Sequence, residues 1–132
     1  MTNFTSHSDE ATDYTSTVTI DSSIHPRVRF TIRRMSFTRR CELLRQIREI
    51  AGKAEFLQAG EDFGERVEAG LLSCEVEKLY LRWGLAKIEG LTIDGAAATV
   101  ETLIESGPEP FAKEIVGAIQ RECGLTEDER KN

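Results

Sequence analysis

The feature that most constrains the fold is a change of hydrophobic period near position 36. Before it, the segments VTI at 18–20 and VRFTI at 28–32 alternate apolar and polar residues, as a strand with one buried face does. After it, apolar residues recur in steps of three or four, as on one face of a helix, at Leu43, Ile47, Ile50, Ala54 and Leu57. We therefore predict a β-hairpin that turns through DSSIHPR and leads into a long helix capped by Ser36.

A second helical stripe follows the break AGEDFGE at 59–65, and it comprises Leu72, Val76, Leu79 and Trp83. This spacing predicts a helix from about Glu65 to Glu89, with Gly90 ending it in the left-handed conformation that favours glycine. Apolar residues also surround much of its circumference. Such a helix should either lie at the centre of the fold or be partly covered by another molecule.

The rest of the chain predicts a second short hairpin and two more helices. Asp94-Gly95 is a favoured hairpin turn, and Thr99 is placed to cap a short helix that ends at Ser106-Gly107. A final helix would end at Gly124 and bury a face made of Phe111, Ile115 and Ile119. The fold class is therefore α+β: a mainly α-helical single domain with an N-terminal β-hairpin and a short second hairpin near 91–98.

The two ends of the sequence are polar. Residues 1–17 hold eight Ser or Thr, so we predict a disordered Ser/Thr-rich arm ahead of a helical domain at 18–125. Residues 126–132 are predicted to be a charged flexible tail. Within it, TEDE has the pattern of a helix start, since Thr126 could cap while Glu129 bonds back, yet only three residues follow.

Composition favours a globular, non-catalytic protein. The chain is 39% hydrophobic and 30% charged, and its longest apolar runs are a few residues, so we predict a cytosolic protein with no membrane partner. Three widely spaced cysteines in helical patterns, Cys41, Cys74 and Cys123, suit reduced core thiols. With two histidines and no phosphate-binding, nucleophile or metal-binding motif, we predict no enzymatic activity, no metal and no cofactor.

Charge is unevenly distributed in a chain whose net charge is -6. Eight of its 17 basic residues lie between Arg27 and Arg48, where Glu42 is the only acid. Such asymmetry indicates either an anionic partner for the basic segment or an attraction between halves of the protein or between subunits.

The basic segment could serve nucleic acid or protein. Arginines interleave with aromatic residues there, as on a nucleic-acid surface, but Phe30 alternates in phase with the predicted core. Protein binding, including self-association, is therefore the favoured interpretation, with Arg29 and Arg33 on one strand face as candidate contacts. The alternative is a small nucleic-acid-binding regulatory protein that uses the Arg27 to Arg48 segment.

The segment from Trp83, WGLAKIEGLTIDGAAATVETLIESGPEPFAKEIVGAIQ, together with the ending ERKN, resembles the tail assembly chaperones of long-tailed bacteriophages. In that family, a central helix leads into a hairpin with the pattern Glu-Gly-apolar-x-apolar-Asp-Gly, here Glu89, Gly90, Leu91, Ile93, Asp94 and Gly95. A capped short helix, a Gly/Pro break and an amphipathic last helix follow in the same order. The TIRRMSFTRR region matches more loosely.

The resemblance implies a non-catalytic protein of the bacterial host cytoplasm that binds and solubilises the tape-measure protein until the tail tube protein polymerises around it. It would then be absent from the mature virion. Many family members also exist in a longer form made by ribosomal slippage, which suggests that TEDE caps a helix present only in a longer product. The client would contact the exposed parts of Leu71, Val76, Tyr80 and Trp83.

Overall fold

The computed structural model describes residues 11–58 and 63–124. Within them the chain forms five strands and four helices: β1 (Thr17–Asp21), β2 (Arg29–Arg33), α1 (Phe37–Gln58), α2 (Phe63–Gly84), β3 (Leu85–Glu89), β4 (Thr92–Ile93), β5 (Ala96–Ala97), α3 (Val100–Ser106) and α4 (Glu109–Cys123). The predicted α+β class, with its N-terminal hairpin and second short hairpin, is confirmed.

The larger sheet is antiparallel and has the order β1-β2-β3. Its central strand buries Phe30 and Ile32, which lie on one face as the alternation predicted. Phe30 meets Phe111 of α4 edge to face, with 5.9 Å between ring centroids. Helix α4 therefore covers the apolar face of the sheet, while Thr31 and its neighbours on the other face are polar.

The predicted helix from Glu65 to Glu89 was wrong in its last turn, because α2 ends at Gly84 and the next five residues form β3. The error has a structural cause. A register shift opposite Thr31 and Ile32 lets Leu85 and Ile88, three residues apart, both face the core. Because of this β-bulge, the segment LAKIE lacks the strict alternation of apolar and polar residues that would have indicated a strand.

Gly90 does adopt the predicted left-handed conformation, with φ at +88°. It ends a strand rather than a helix, and the backbone oxygen of Arg27 lies only 2.3 Å from where a Cβ on residue 90 would be. Glycine is required here both by its backbone conformation and by the close approach of the β1–β2 connection.

Helices α1 and α2 form an antiparallel pair, and α1 packs mainly against α2. Ser36 caps α1 as predicted, since its Oγ accepts a hydrogen bond from the Arg39 backbone N–H at 3.2 Å. Leu43 and Ile47 are buried on the predicted stripe. The side chains of Ala54 and Leu57 lie outside the described residues, as do TEDE at 126–129 and residues 1–10 of the predicted arm.

The C-terminal elements follow the predicted signals closely. Thr99 and Thr102 form a reciprocal capping box at the start of α3, and Gly124 ends α4 with φ at +72°. Phe111, Ile115 and Ile119 are fully buried on the predicted face of α4. Local capping chemistry and the helical period therefore agree with the packed structure in this part of the chain.

The cysteine prediction was right for one residue and wrong for two. Cys123 is buried, and burial raises the pKa of its thiol. Cys41 and Cys74 are exposed. All three are free thiols.

Candidate protein-binding surface

An apolar stripe lies exposed on the first half of α2. Phe63, Val67 and Leu71 follow one another in steps of four and are 73%, 47% and 56% exposed. This step places them on one side of a helix, and the exposed Cys74 continues the line. We call these four residues, Phe63, Val67, Leu71 and Cys74, the outer stripe.

The outer stripe lies on a side of α2 that is exposed in the first half of the helix and covered by other elements near its C-terminal end. Leu81 lies about five full turns after Phe63, hence on the same side, and it is buried. Near that end, Lys113 of α4 pairs with Glu77 at 2.8 Å, and Glu101 of α3 pairs with Arg82 at 3.3 Å. The outer stripe is thus the uncovered continuation of a core-facing surface.

Single exposed apolar side chains are common on protein surfaces, whereas a continuous line of them is not. Such a line indicates a binding surface. The opposite side of α2 supplies the intramolecular packing, since Ala69 is fully buried there and Val76 packs against the core. The outer stripe therefore remains available for a second molecule, and apolar side chains at helical spacing suit the apolar face of another helix.

Four of the predicted contact residues lie on α2, and they differ in how far their side chains are exposed. Leu71 is exposed, whereas Val76 and Trp83 are half-buried against the core. Tyr80 is fully buried, so its inclusion in an exposed surface was wrong. It lies on the side of the helix that the rest of the chain covers.

Sequence reasoning missed Phe63 and Val67. Phe63 lies within the AGEDFGE break, and α2 begins two residues before the predicted start at Glu65. The step of four from Phe63 through Val67 to Leu71 was the available signal. The glycines at 60 and 64, on either side of Phe63, favour a loop instead.

Two arginines of the basic segment bind the junction between α2 and β3. Arg39 donates from Nη2 to the Trp83 carbonyl at 2.7 Å, and its guanidinium lies 4.5 Å from the centre of the Trp83 ring. Arg33 donates from Nη1 to the Leu85 carbonyl at 3.0 Å. The last carbonyls of a helix lack helical partners, so Arg39 satisfies a carbonyl at the C-terminal end of α2, while Arg33 holds the first residue of β3.

Other arginines of the segment also have partners within the chain. The Nη1 of Arg34 donates to the Thr15 carbonyl, and its backbone N–H donates to the Ser16 carbonyl. Its Nε also lies 3.6 Å from the Glu122 carboxylate. Arg29 lies 3.6 Å from Asp21 across the β1–β2 pair. Much of the positive charge that the sequence displays therefore serves the fold.

Arg29 and Arg33 do not join the outer stripe. Both lie on β2, and Arg33 contacts Leu85 beyond the C-terminal end of α2. Leu71 is roughly 20 Å farther back along that helix, at 1.5 Å per residue. The predicted contact residues thus occupy two separate regions of the molecule.

A carboxylate on α4 anchors the β1–β2 turn. Glu114 accepts hydrogen bonds from the Ser22 hydroxyl at 2.8 Å, the Ser23 N–H at 2.7 Å and the Ser23 hydroxyl at 3.0 Å. Burial alone would raise the pKa of Glu114, but these hydrogen bonds outweigh it, and the pKa lies below its usual value. This cluster is a structural clasp.

Within residues 11–58 and 63–124, no group of three or more His, Cys, Asp or Glu side chains is placed to hold a metal ion. Among the helices described, none combines the length and apolarity needed to cross a membrane. Comparisons with protein-family models, with curated proteins and with solved structures gave no match to this chain.

Proposed function

We propose that this protein binds the tape-measure protein of a long-tailed bacteriophage and keeps it soluble during tail assembly, without catalysis. The observation that carries the proposal is the outer stripe, a line of exposed apolar side chains suited to an amphipathic client helix. In this role the protein acts in the bacterial cytoplasm before the tail tube protein polymerises, and it is absent from the finished particle.

The size of the stripe indicates how it would be used. Covering Phe63, Val67 and Leu71 contributes roughly 1 kcal/mol each, because full burial of such side chains is worth about 1.5–3 kcal/mol. A micromolar dissociation constant corresponds to about 8 kcal/mol. One stripe is too small for that, so we expect several copies to bind along one long client, each through a short contact.

The arginine contacts support a protein partner over the nucleic-acid alternative. Arg33 and Arg39 are held against backbone carbonyls, and Arg34 is held by carbonyls and a carboxylate, so each of these side chains already has a partner within the fold. A nucleic-acid surface needs such donors directed at phosphates. Measuring DNA and RNA binding between low and physiological salt distinguishes the two functions, since phosphate contacts produce a steep salt dependence.

The decisive experiment co-expresses this chain with a tape-measure protein from the same genome. We expect the unchanged protein to increase the soluble fraction of the client and to co-purify with it. Val67→Glu combined with Leu71→Glu should abolish both effects, because two charges would then enter an apolar contact. Ser73→Glu is the matched control, since it adds a charge at an exposed position of α2 outside the outer stripe.

Both variants should fold, because surface substitutions usually change stability by less than about 0.5 kcal/mol. Circular dichroism checks this before the client is tested. The proposal fails if the unchanged protein neither solubilises nor retains the client. The stripe is the wrong surface if the double variant performs as well as the Ser73→Glu control.

A further inference from the structure

A cleft of about 400 Å³ lies beside β3, the edge strand opposite β1. One wall is β3 itself, with Ala86 and Ile88, and the other is formed by Ala98, just ahead of α3, and by Val100, the first residue of that helix. Lys87 and Glu101 add one charge of each sign. Aliphatic side chains therefore line both walls of the cleft, and the backbone of β3 runs along one of them.

The hydrogen-bond pattern shows which backbone groups of β3 face this cleft. The N–H of Arg34 bonds the carbonyl of Ser16, and the N–H of Ser22 bonds that of Val28. Hydrogen-bonded pairs alternate along an antiparallel ladder, so Phe30, two residues after Val28 and four before Arg34, also bonds to β1, through Ile20. The residues of β2 on either side of Phe30 must then bond to β3.

The consequence for β3 follows from its register. Thr31 is opposite Lys87 and Arg29 is opposite Glu89, so Lys87 and Glu89 are the residues that bond to β2. Ile88, between them, directs its N–H and carbonyl away from β2 and toward the cleft. Within the part of the chain that the structure describes, no backbone group bonds to them.

We propose that this cleft binds an extended segment of a partner polypeptide, which adds a fourth, antiparallel strand to the sheet at Ile88. A donor and an acceptor presented together along a strand edge match an extended backbone, whose own N–H and carbonyl repeat at the same spacing. The segment continues the existing antiparallel sheet. This inference is independent of the outer stripe and of a helical client.

The side chains around Ile88 specify the sequence of the segment. Residues directly opposite in an antiparallel pair project on the same face, so the residue facing Ile88 enters the apolar side, beside Ala98 and Val100. Its two neighbours lie on the polar face, opposite Lys87 and Glu89. Charge complementarity therefore selects the order basic, apolar, acidic, which Lys-Val-Asp provides when read from its N-terminus.

The other free edge is less suited to this role. On β1, the carbonyl of Thr17 already accepts a hydrogen bond from the Thr15 hydroxyl at 3.1 Å. The cleft between β3 and α3 supplies a second wall that can cover the apolar side chain of an incoming strand. For these reasons the proposal concerns β3.

The test uses the full chain and a synthetic probe, acetyl-Thr-Thr-Lys-Val-Asp-Thr-Thr-amide. Titration followed by amide chemical shifts should perturb Ile88, and hydrogen exchange of the Ile88 amide should slow at least tenfold at saturation. The same peptide carrying N-methylvaline is the control, because it lacks the N–H that donates to the Ile88 carbonyl. It should leave the exchange of Ile88 unchanged.

A charge exchange at one position tests the register. The unchanged protein should prefer Lys-Val-Asp over Lys-Val-Lys, and Lys87→Glu should reverse that preference by several fold. The side chain of Lys87 is 64% exposed, and its ion pair with Glu89, at 3.4 Å, is an exposed one that contributes little to stability, so this variant should fold.

The proposal is overturned if the Lys-Val-Asp peptide, at about 5 mM, leaves the amide chemical shift of Ile88 unchanged, since that concentration is near the weak limit of measurable affinity. It is also overturned if the N-methylated peptide protects Ile88 equally. Protection of Ile88 that is present in the concentrated protein alone and disappears on dilution would identify a second copy as the occupant, and would equally refute it.

Discussion

Replacing Gly90 with alanine should destabilise the protein far more than the same change at Gly95. Both glycines have positive φ, +88° and +84°, so both substitutions incur left-handed strain of about 1–2 kcal/mol. At Gly95 nothing lies within 4 Å of the added Cβ, whereas at Gly90 the backbone oxygen of Arg27 lies 2.3 Å away. That oxygen belongs to the connection between β1 and β2, so relieving the contact requires the backbone to move.

We therefore expect a loss of about 1–2 kcal/mol in the free energy of unfolding for Gly95→Ala and about 3–5 kcal/mol for Gly90→Ala, since large losses come from overpacking and strain together. Urea unfolding followed by circular dichroism measures both, with equal m-values indicating that only stability has changed. If the two variants differ by less than about 1 kcal/mol, the argument from close backbone approach is wrong.

Three further substitutions test other parts of the structure. Gly70→Ala should raise the free energy of unfolding by about 0.5–1 kcal/mol, because the position is helical and open; a lower melting temperature would contradict this. Arg39→Ala should lower the free energy of unfolding by about 1–3 kcal/mol and shift the Trp83 fluorescence, because it removes a charged hydrogen bond and a cation–π contact. The control is Arg45→Ala, which removes only an exposed ion pair with Glu42 and should lower it by less than about 1 kcal/mol. Glu114 has a lowered folded pKa, so its stabilisation is complete above its ordinary value of 4.5 and is lost as pH falls through the folded pKa. Glu114→Gln should thus lower the free energy of unfolding at neutral pH and make it less dependent on pH, as measured by urea titrations from pH 7 to 3. An unchanged pH dependence of the free energy of unfolding would refute the clasp.

Local signals in the sequence predicted most of the secondary structure. The caps at Ser36 and Thr99 and the alternation through Phe30 were each visible in a few neighbouring residues, and each is found in the structure. The transition at Gly84 was not visible. A residue spacing of three arises on a helix and across a β-bulge alike, and only the pairing of Leu85 and Ile88 with β2 distinguishes them.

The candidate binding surface was predicted only in part for a related reason. Apolar spacing marks the sides of α2 that are able to be buried, but it does not show which of them the other elements reach. Tyr80 and Leu71 were indistinguishable on that basis, yet one is fully buried and the other is exposed. The outer stripe exists because α3 and α4 cover only the later part of α2.

The sequence by itself determined the type and order of most elements, because capping, turn chemistry and hydrophobic period act over a few neighbouring residues. Tertiary structure decided where α2 gives way to β3, which arginines serve the fold, and which apolar and backbone groups stay uncovered. Arg33 and Arg39 reach carbonyls 52 and 44 residues away in the chain, and the edge at Ile88 consists of the backbone groups of β3 that do not bond to β2. Such contacts depend on the packing of distant segments, for which no short stretch of sequence carries a signal.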